Sequence, residues 1–108
     1  MELRRAAASL ICIGFEGQEE PPAAARELIA EGASGAILFK RNVAGAAQTA
    51  RLCAALKREA GRPFFLAVDQ EGGRVARLRG EPFTAVPAMR QVGAADDEAL
   101  AFDVGRLL

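Results

Sequence analysis

The chain has 108 residues, half of them hydrophobic, with 14 Lys and Arg against 14 Asp and Glu and no histidine. That length supports one small domain with a modest core, and the balanced charge leaves no basic excess for phosphates, which sets nucleic acid aside as a partner. Without histidine, Ser-His-Asp and Cys-His catalysis and every His-based metal site are excluded within these residues.

The opening Met1-Glu2-Leu3-Arg4-Arg5, followed by apolar Ala6 to Phe15, superficially resembles a secretory signal. The apolar stretch is short, and Glu16 and Gly17 follow it without a clean small-x-small cleavage site. A short helix leading into a strand is the expectation instead. No segment is long enough to cross a membrane, so a membrane is not an expected partner.

Leu10 to Gly14 is an apolar run ending in Gly-Phe-Glu-Gly, which predicts a first strand and turn. Pro21 and Pro22 predict a helix start, because the first helical turn does not need the N–H that proline lacks. Ala25, Leu28 and Ile29 follow helical spacing, and Gly32 is a natural stop. Gly35 to Phe39 is apolar without alternation, the pattern of a strand buried on both faces of a parallel sheet. Lys40-Arg41-Asn42 follows as a polar turn.

A helix is then expected from about Ala44 to Ala60. Thr49, Leu52, Cys53, Leu56 and Ala60 form its inner face, and Gln48, Arg51, Lys57, Arg58 and Glu59 mostly face water. Gly61-Arg62-Pro63 breaks it before a third strand, Phe64 to Val68. The order strand, helix, strand, helix, strand with short connections predicts an α/β fold built from right-handed βαβ units. Three parallel strands would deliver Glu16, Arg41, Asn42 and Asp69 to one end of the sheet. Gln70 to Val92 reads as one long irregular connection. Asp96-Asp97-Glu98 marks the start of a last helix, with Leu100, Val104, Leu107 and Leu108 as its apolar stripe. Cys12 and Cys53, far apart and without a C-x-x-C pair, read as buried free thiols of a cytosolic protein.

The chemistry concentrates after the third strand, in Ala67-Val68-Asp69-Gln70-Glu71-Gly72-Gly73-Arg74-Val75-Ala76-Arg77-Leu78. Loops at the carboxyl ends of parallel strands are where α/β proteins hold ligands. Asp69 could accept hydrogen bonds from ligand hydroxyls or cap its own turn. Arg74 and Arg77 present planar sets of donors suited to sugar oxygens, carboxylates or phosphates; alternatively one pairs with Glu71 or Glu81. Gly72-Gly73 would permit positive φ or close approach of a ligand, although neither a G-x-G-x-x-G nor a Walker pattern occurs. Arg41 and Asn42 could line the same pocket or simply hold their loop. Asp69 with Glu71 is a poor pair of catalytic carboxylates, since neighbours on a turn seldom flank one bond.

Ile13-Gly14-Phe15-Glu16-Gly17, Gly35 to Asn42, the Asp69 segment and Pro87-Ala88-Met89 together resemble the amino-terminal part of glycoside hydrolase family 3. The branch resembled is the bacterial β-N-acetylhexosaminidases of peptidoglycan recycling. The D-x-E-G-G-R-V-x-R segment is the specific part, and the likeness runs from about residue 10 to 105. It implies a (β/α)8 TIM barrel, of which residues 1–108 would supply the first three βα units, with the active site at the strands' carboxyl ends. It also implies that Asp69 and Arg77 bind the N-acetylglucosamine unit of a saccharide, with no metal or organic cofactor. The family's nucleophilic aspartate and histidine acid/base lie further along than these residues. The expectation is therefore a cytoplasmic hydrolase's amino-terminal fragment, inactive by itself and prone to self-association through its open sheet edge. The competing reading is a non-catalytic flavodoxin-like module that binds a small ligand, which would need about five strands.

Overall fold

The computed structural model of the chain describes residues 2–108. They form two compact units, the first up to Val68 and the second from Asp69 to Leu108.

The first unit alternates helices and parallel strands as the sequence predicts. Helix α1 (Leu3–Ala8) leads into β1 (Cys12–Ile13), α2 (Ala23–Glu31), β2 (Gly35–Leu38), α3 (Ala46–Ala60) and β3 (Phe65–Val68). The sheet order is β1-β2-β3, with both pairings parallel. Helix α2 begins directly after Pro22, whose carbonyl accepts the first helical bond from Arg26 N. It ends at Gly32, where φ of +122° lets Gly32 N reach Ile29 O and Ala33 N reach Leu28 O, so the last carbonyls are paired. Gly61 stops α3 in the left-handed region in the same way.

The core gathers Ile13, Phe15, Ala25, Ile29, Ala36, Leu38, Leu52 and Leu56 between the sheet and α2 and α3. Leu52 and Leu56 are fully enclosed, each stabilising the fold by about 2 kcal/mol through burial. Gly35 lies opposite Phe65 in the β2–β3 register. A Cβ there would stand 2.6 Å from Phe65 Cβ, so close strand pairing requires glycine at this position.

Three expectations need correction. On α3, Ala55 joins the buried face, which the sequence reading omitted, and Cys53 and Ala60 pack against the core as expected although half-buried. Gln48 does not face water: its carboxamide donates to the Gln18 and Asn42 carbonyls and accepts from Ala44 N and Gly45 N, which caps the helix start. Cys12 is exposed rather than buried, because β1 is only two residues long and pairs on one side; both thiols are free. Among the described residues β3 has no partner beyond β2, and Phe65 is 75 % exposed, which is the open edge expected from the sequence.

In the second unit, the expected irregular connection contains regular structure. Strands β4 (Gln70–Gly72) and β5 (Val75–Ala76) pair antiparallel, with a bulge between Gln70 and Gly72. Helix α4 (Met89–Ala95) was not expected from the sequence, which placed the end of the irregular connection there. Asp96 then turns the chain at φ of 50°, and Asp97 caps α5 (Glu98–Leu107) by accepting from Leu100 N. The acidic start of α5 is as expected, but of its apolar stripe only Val104 is buried.

Candidate functional site

Two clusters hold the residues singled out from the sequence, one in each unit. In the first, β2 ends at Leu38 and Phe39 leads into a 3-10 turn, Lys40–Asn42. Asn42 is fully buried. Its Nδ2 donates to Phe15 O (3.0 Å) and Gly17 O (2.8 Å), and its Oδ1 accepts from Phe39 N (2.9 Å). All of its polar capacity but one lone pair is spent on backbone. Of the two roles open to Asn42, the geometry corresponds to the loop clamp and not to a pocket wall.

Arg41 donates from Nε to Phe15 O at 2.9 Å and pairs with Glu16 Oε1 at 3.1 Å. Its guanidinium also lies 4.9 Å from the Phe39 ring centroid, a cation–π contact. The structure therefore brings Glu16, Arg41 and Asn42 together around the Phe15 carbonyl. The Arg41 fork retains Nη donors beyond these contacts.

The second cluster begins at Asp69, the residue directly after β3, where the sequence placed it. Asp69 is half-buried. Among the described residues its carboxylate has no hydrogen bond or ion pair, and all the ion pairs formed lie in the first unit. Its carbonyl accepts from Arg77 N at 3.3 Å. Arg77 is half-buried, and its Nε is enclosed without a hydrogen-bond partner. A donor left in that state costs roughly 1–3 kcal/mol. Arg74 is exposed and forms no ion pair with Glu71 or Glu81 among the described residues; its carbonyl is engaged by Arg79.

Two residues passed over in the sequence reading organise this loop. Gln70 Oε1 accepts from both Arg77 N and Leu78 N at 3.0 Å, while its Nε2 donates to Leu78 O. Arg79 donates to the carbonyls of Gly73, Arg74 and Ala76. Neither has a periodicity signal, because each acts through a return contact set by the hairpin. Gly72 and Gly73 have φ of +84° and +57°. A Cβ at Gly72 would run into the Pro87 carbonyl, and one at Gly73 would lie 2.8 Å from Ala88 Cβ. The close approach that demands these glycines is thus made by the chain's own 86–88 segment.

No group of His, Cys, Asp or Glu among the described residues could hold a metal, and no helix there is long and apolar enough to cross a membrane. Burial raises the Cys53 thiol pKa, with Lys57 acting in the opposite direction.

The family model of the glycosyl hydrolase family 3 N terminal domain matches residues 2–108. The chain is 52 % identical over 61 residues to a beta-hexosaminidase of Xylella fastidiosa (strain M23), covering 56 % of this chain and 18 % of that protein. It superposes on a glycoside hydrolase family 3 beta-N-acetylglucosaminidase from Paenibacillus sp. str. FPU-7 with a TM-score of 0.89 and 37 % identity, over 99 % of this chain and 21 % of that one. Against NagZ from Neisseria gonorrhoeae, solved in complex with N-trifluoroacetyl-D-glucosamine, the TM-score is 0.72 at 31 % identity, over 89 % of this chain and 30 % of that one. The chain thus spans about a fifth to a third of the length of these proteins. Its three parallel strands are part of a (β/α)8 barrel, and the flavodoxin-like alternative gives way. By its sequence and by its fold, the chain belongs to glycoside hydrolase family 3, within the family's N-terminal domain.

Proposed function

We propose that residues 1–108 are the amino-terminal part of the barrel domain of a retaining β-N-acetylhexosaminidase, and that their role is to hold the sugar. Asp69 accepts hydrogen bonds from hydroxyls of the N-acetylglucosamine unit, and Arg77 donates to its oxygens. A charged acceptor and a planar set of donors fix a ring's orientation better than neutral groups do. That orientation is what lets binding energy position the scissile bond. The nucleophile and the acid/base belong to parts of the protein outside these residues. No metal or organic cofactor takes part. The saccharide is a peptidoglycan fragment recycled in the cytoplasm.

The observation that carries this reading is the state of the two side chains. A carboxylate without a partner and an enclosed Nε–H without an acceptor stand on a backbone tied together by the Arg77 N to Asp69 O bond, in a chain of this family. Ligand hydroxyls would satisfy the carboxylate, and Arg77 would meet ligand oxygens through its Nη donors, the enclosed Nε being closed to an atom the size of water. NMR titration of the chain with N-acetylglucosamine tests it. The expected result is saturable shifts at the amides of residues 69–78, with affinity reduced about tenfold or more in Asp69→Ala. Absence of any shift, or equal affinity in Asp69→Ala, overturns the assignment.

A further inference from the structure

We propose that Gln70 is a positioning residue of the saccharide subsite, acting through the backbone of Arg77; this rests on the sugar-binding reading above. The argument begins where β5 ends. Strand β5 stops at Ala76, opposite Gln70; beyond it Arg77 N keeps one long backbone bond, to Asp69 O at 3.3 Å, and Leu78 N has no backbone acceptor among the described residues. Backbone amides in a half-buried turn need acceptors. The Gln70 side chain supplies one for both, with Oε1 at 3.0 Å from Arg77 N and from Leu78 N, and its Nε2 returns a bond to Leu78 O at 3.0 Å.

A carboxamide carries a two-lone-pair oxygen and an NH2 donor in one plane, as a peptide group carries its C=O and N–H, so Gln70 extends β4's edge by a side chain where its backbone has turned away. Arg77 N is shared between this oxygen and Asp69 O. The separation of the two proposed sugar-binding residues is therefore set by bonds to main chain, which use neither the Asp69 carboxylate nor the Arg77 guanidinium. Arg79 holds the opposite side of the loop through the carbonyls of Gly73, Arg74 and Ala76. A long arginine otherwise loses considerable rotamer freedom on binding. Fixing its backbone removes the backbone share of the ordering cost and sets where the side chain starts, and misplacement by about 1 Å is enough to weaken a positioned contact severely.

Three versions of the chain test this: the wild type, Gln70→Ala and Gln70→Glu. Amide exchange by NMR reads the clamp, N-acetylglucosamine affinity reads the subsite, and the thermal midpoint reads the fold. In Gln70→Ala, exchange at Arg77 and Leu78 is expected to rise about tenfold, and affinity to fall by a similar factor, with the protection of β1–β3 unchanged. Gln70→Glu keeps the acceptor for both amides but sets a carboxylate oxygen against Leu78 O in place of the donor. It is expected to restore the protection and the affinity only in part, both by the same fraction. The proposal is overturned if Gln70→Ala leaves exchange at those two amides unaltered. It is also overturned if exchange rises there and affinity does not change, or if affinity falls only together with protection across the whole chain. Failure of the wild type to bind the sugar while its two amides respond to Gln70→Ala would instead overturn the sugar-binding reading and leave the clamp standing.

Discussion

Asn42→Ala removes a fully buried side chain that makes three hydrogen bonds to backbone, and their individual fates set the expected loss. Phe15 O keeps its bond from Arg41 Nε, so it forfeits only one of two partners. Gly17 is exposed, so water can take over at its carbonyl. Phe39 N is held by Asn42 Oδ1 alone in a part-buried turn, and it becomes an orphan at a cost of roughly 1–3 kcal/mol. Adding the net worth of the two bonds to carbonyls gives about 3 kcal/mol in all. Urea unfolding followed by far-UV circular dichroism reads this directly. With a slope of about 1.5 kcal/mol/M for a chain of this size, the midpoint falls by about 2 M. Asn42→Asp is the companion variant: it retains an acceptor for Phe39 N but aims a carboxylate at two carbonyls, and it is expected to be at least as damaging. A midpoint within about 0.3 M of the wild type in Asn42→Ala would refute the clamp and return Asn42 to the pocket wall that the sequence also allowed.

Gly72→Ala combines a φ of +84° with a Cβ driven into the Pro87 carbonyl, and a local destabilisation of about 2–3 kcal/mol is expected. Faster proteolysis within residues 69–88 would show it, and an unchanged cleavage rate would contradict it. Thiol labelling at pH 8 should modify exposed Cys12 first and half-buried Cys53 about tenfold more slowly, since burial raises the Cys53 pKa against the smaller opposing influence of Lys57; equal rates would contradict this. The sign for stability follows: the folded thiol holds its proton to higher pH than the unfolded one. That contribution is present below the unfolded thiol's range and is lost as pH climbs through the raised folded value.

The alternation of helices and strands, their parallel order and the place of Asp69 directly after the third strand were legible in the residues alone. Gly32 and Gly61 stop helices through local backbone freedom, and unalternated Gly35 to Phe39 reads as a strand buried on both faces without reference to anything distant. Asp69 is legible for the same reason, because a strand's end is a local event. Tertiary structure alone decided which polar groups are occupied. Asn42 and Gln70 carry the same chemical group, yet one encloses itself around Phe15, Gly17 and Phe39 and the other reaches forward to Arg77 and Leu78. The β4–β5 hairpin was missed because its strands are too short for period-two alternation to register. The glycine pair was read as permitting positive φ or the close approach of a ligand; both glycines do have positive φ, and the close approach is made by Pro87 and Ala88. Hydrogen-bond partners chosen across many residues follow from where folding brings backbone carbonyls and amides, and no local pattern encodes that choice.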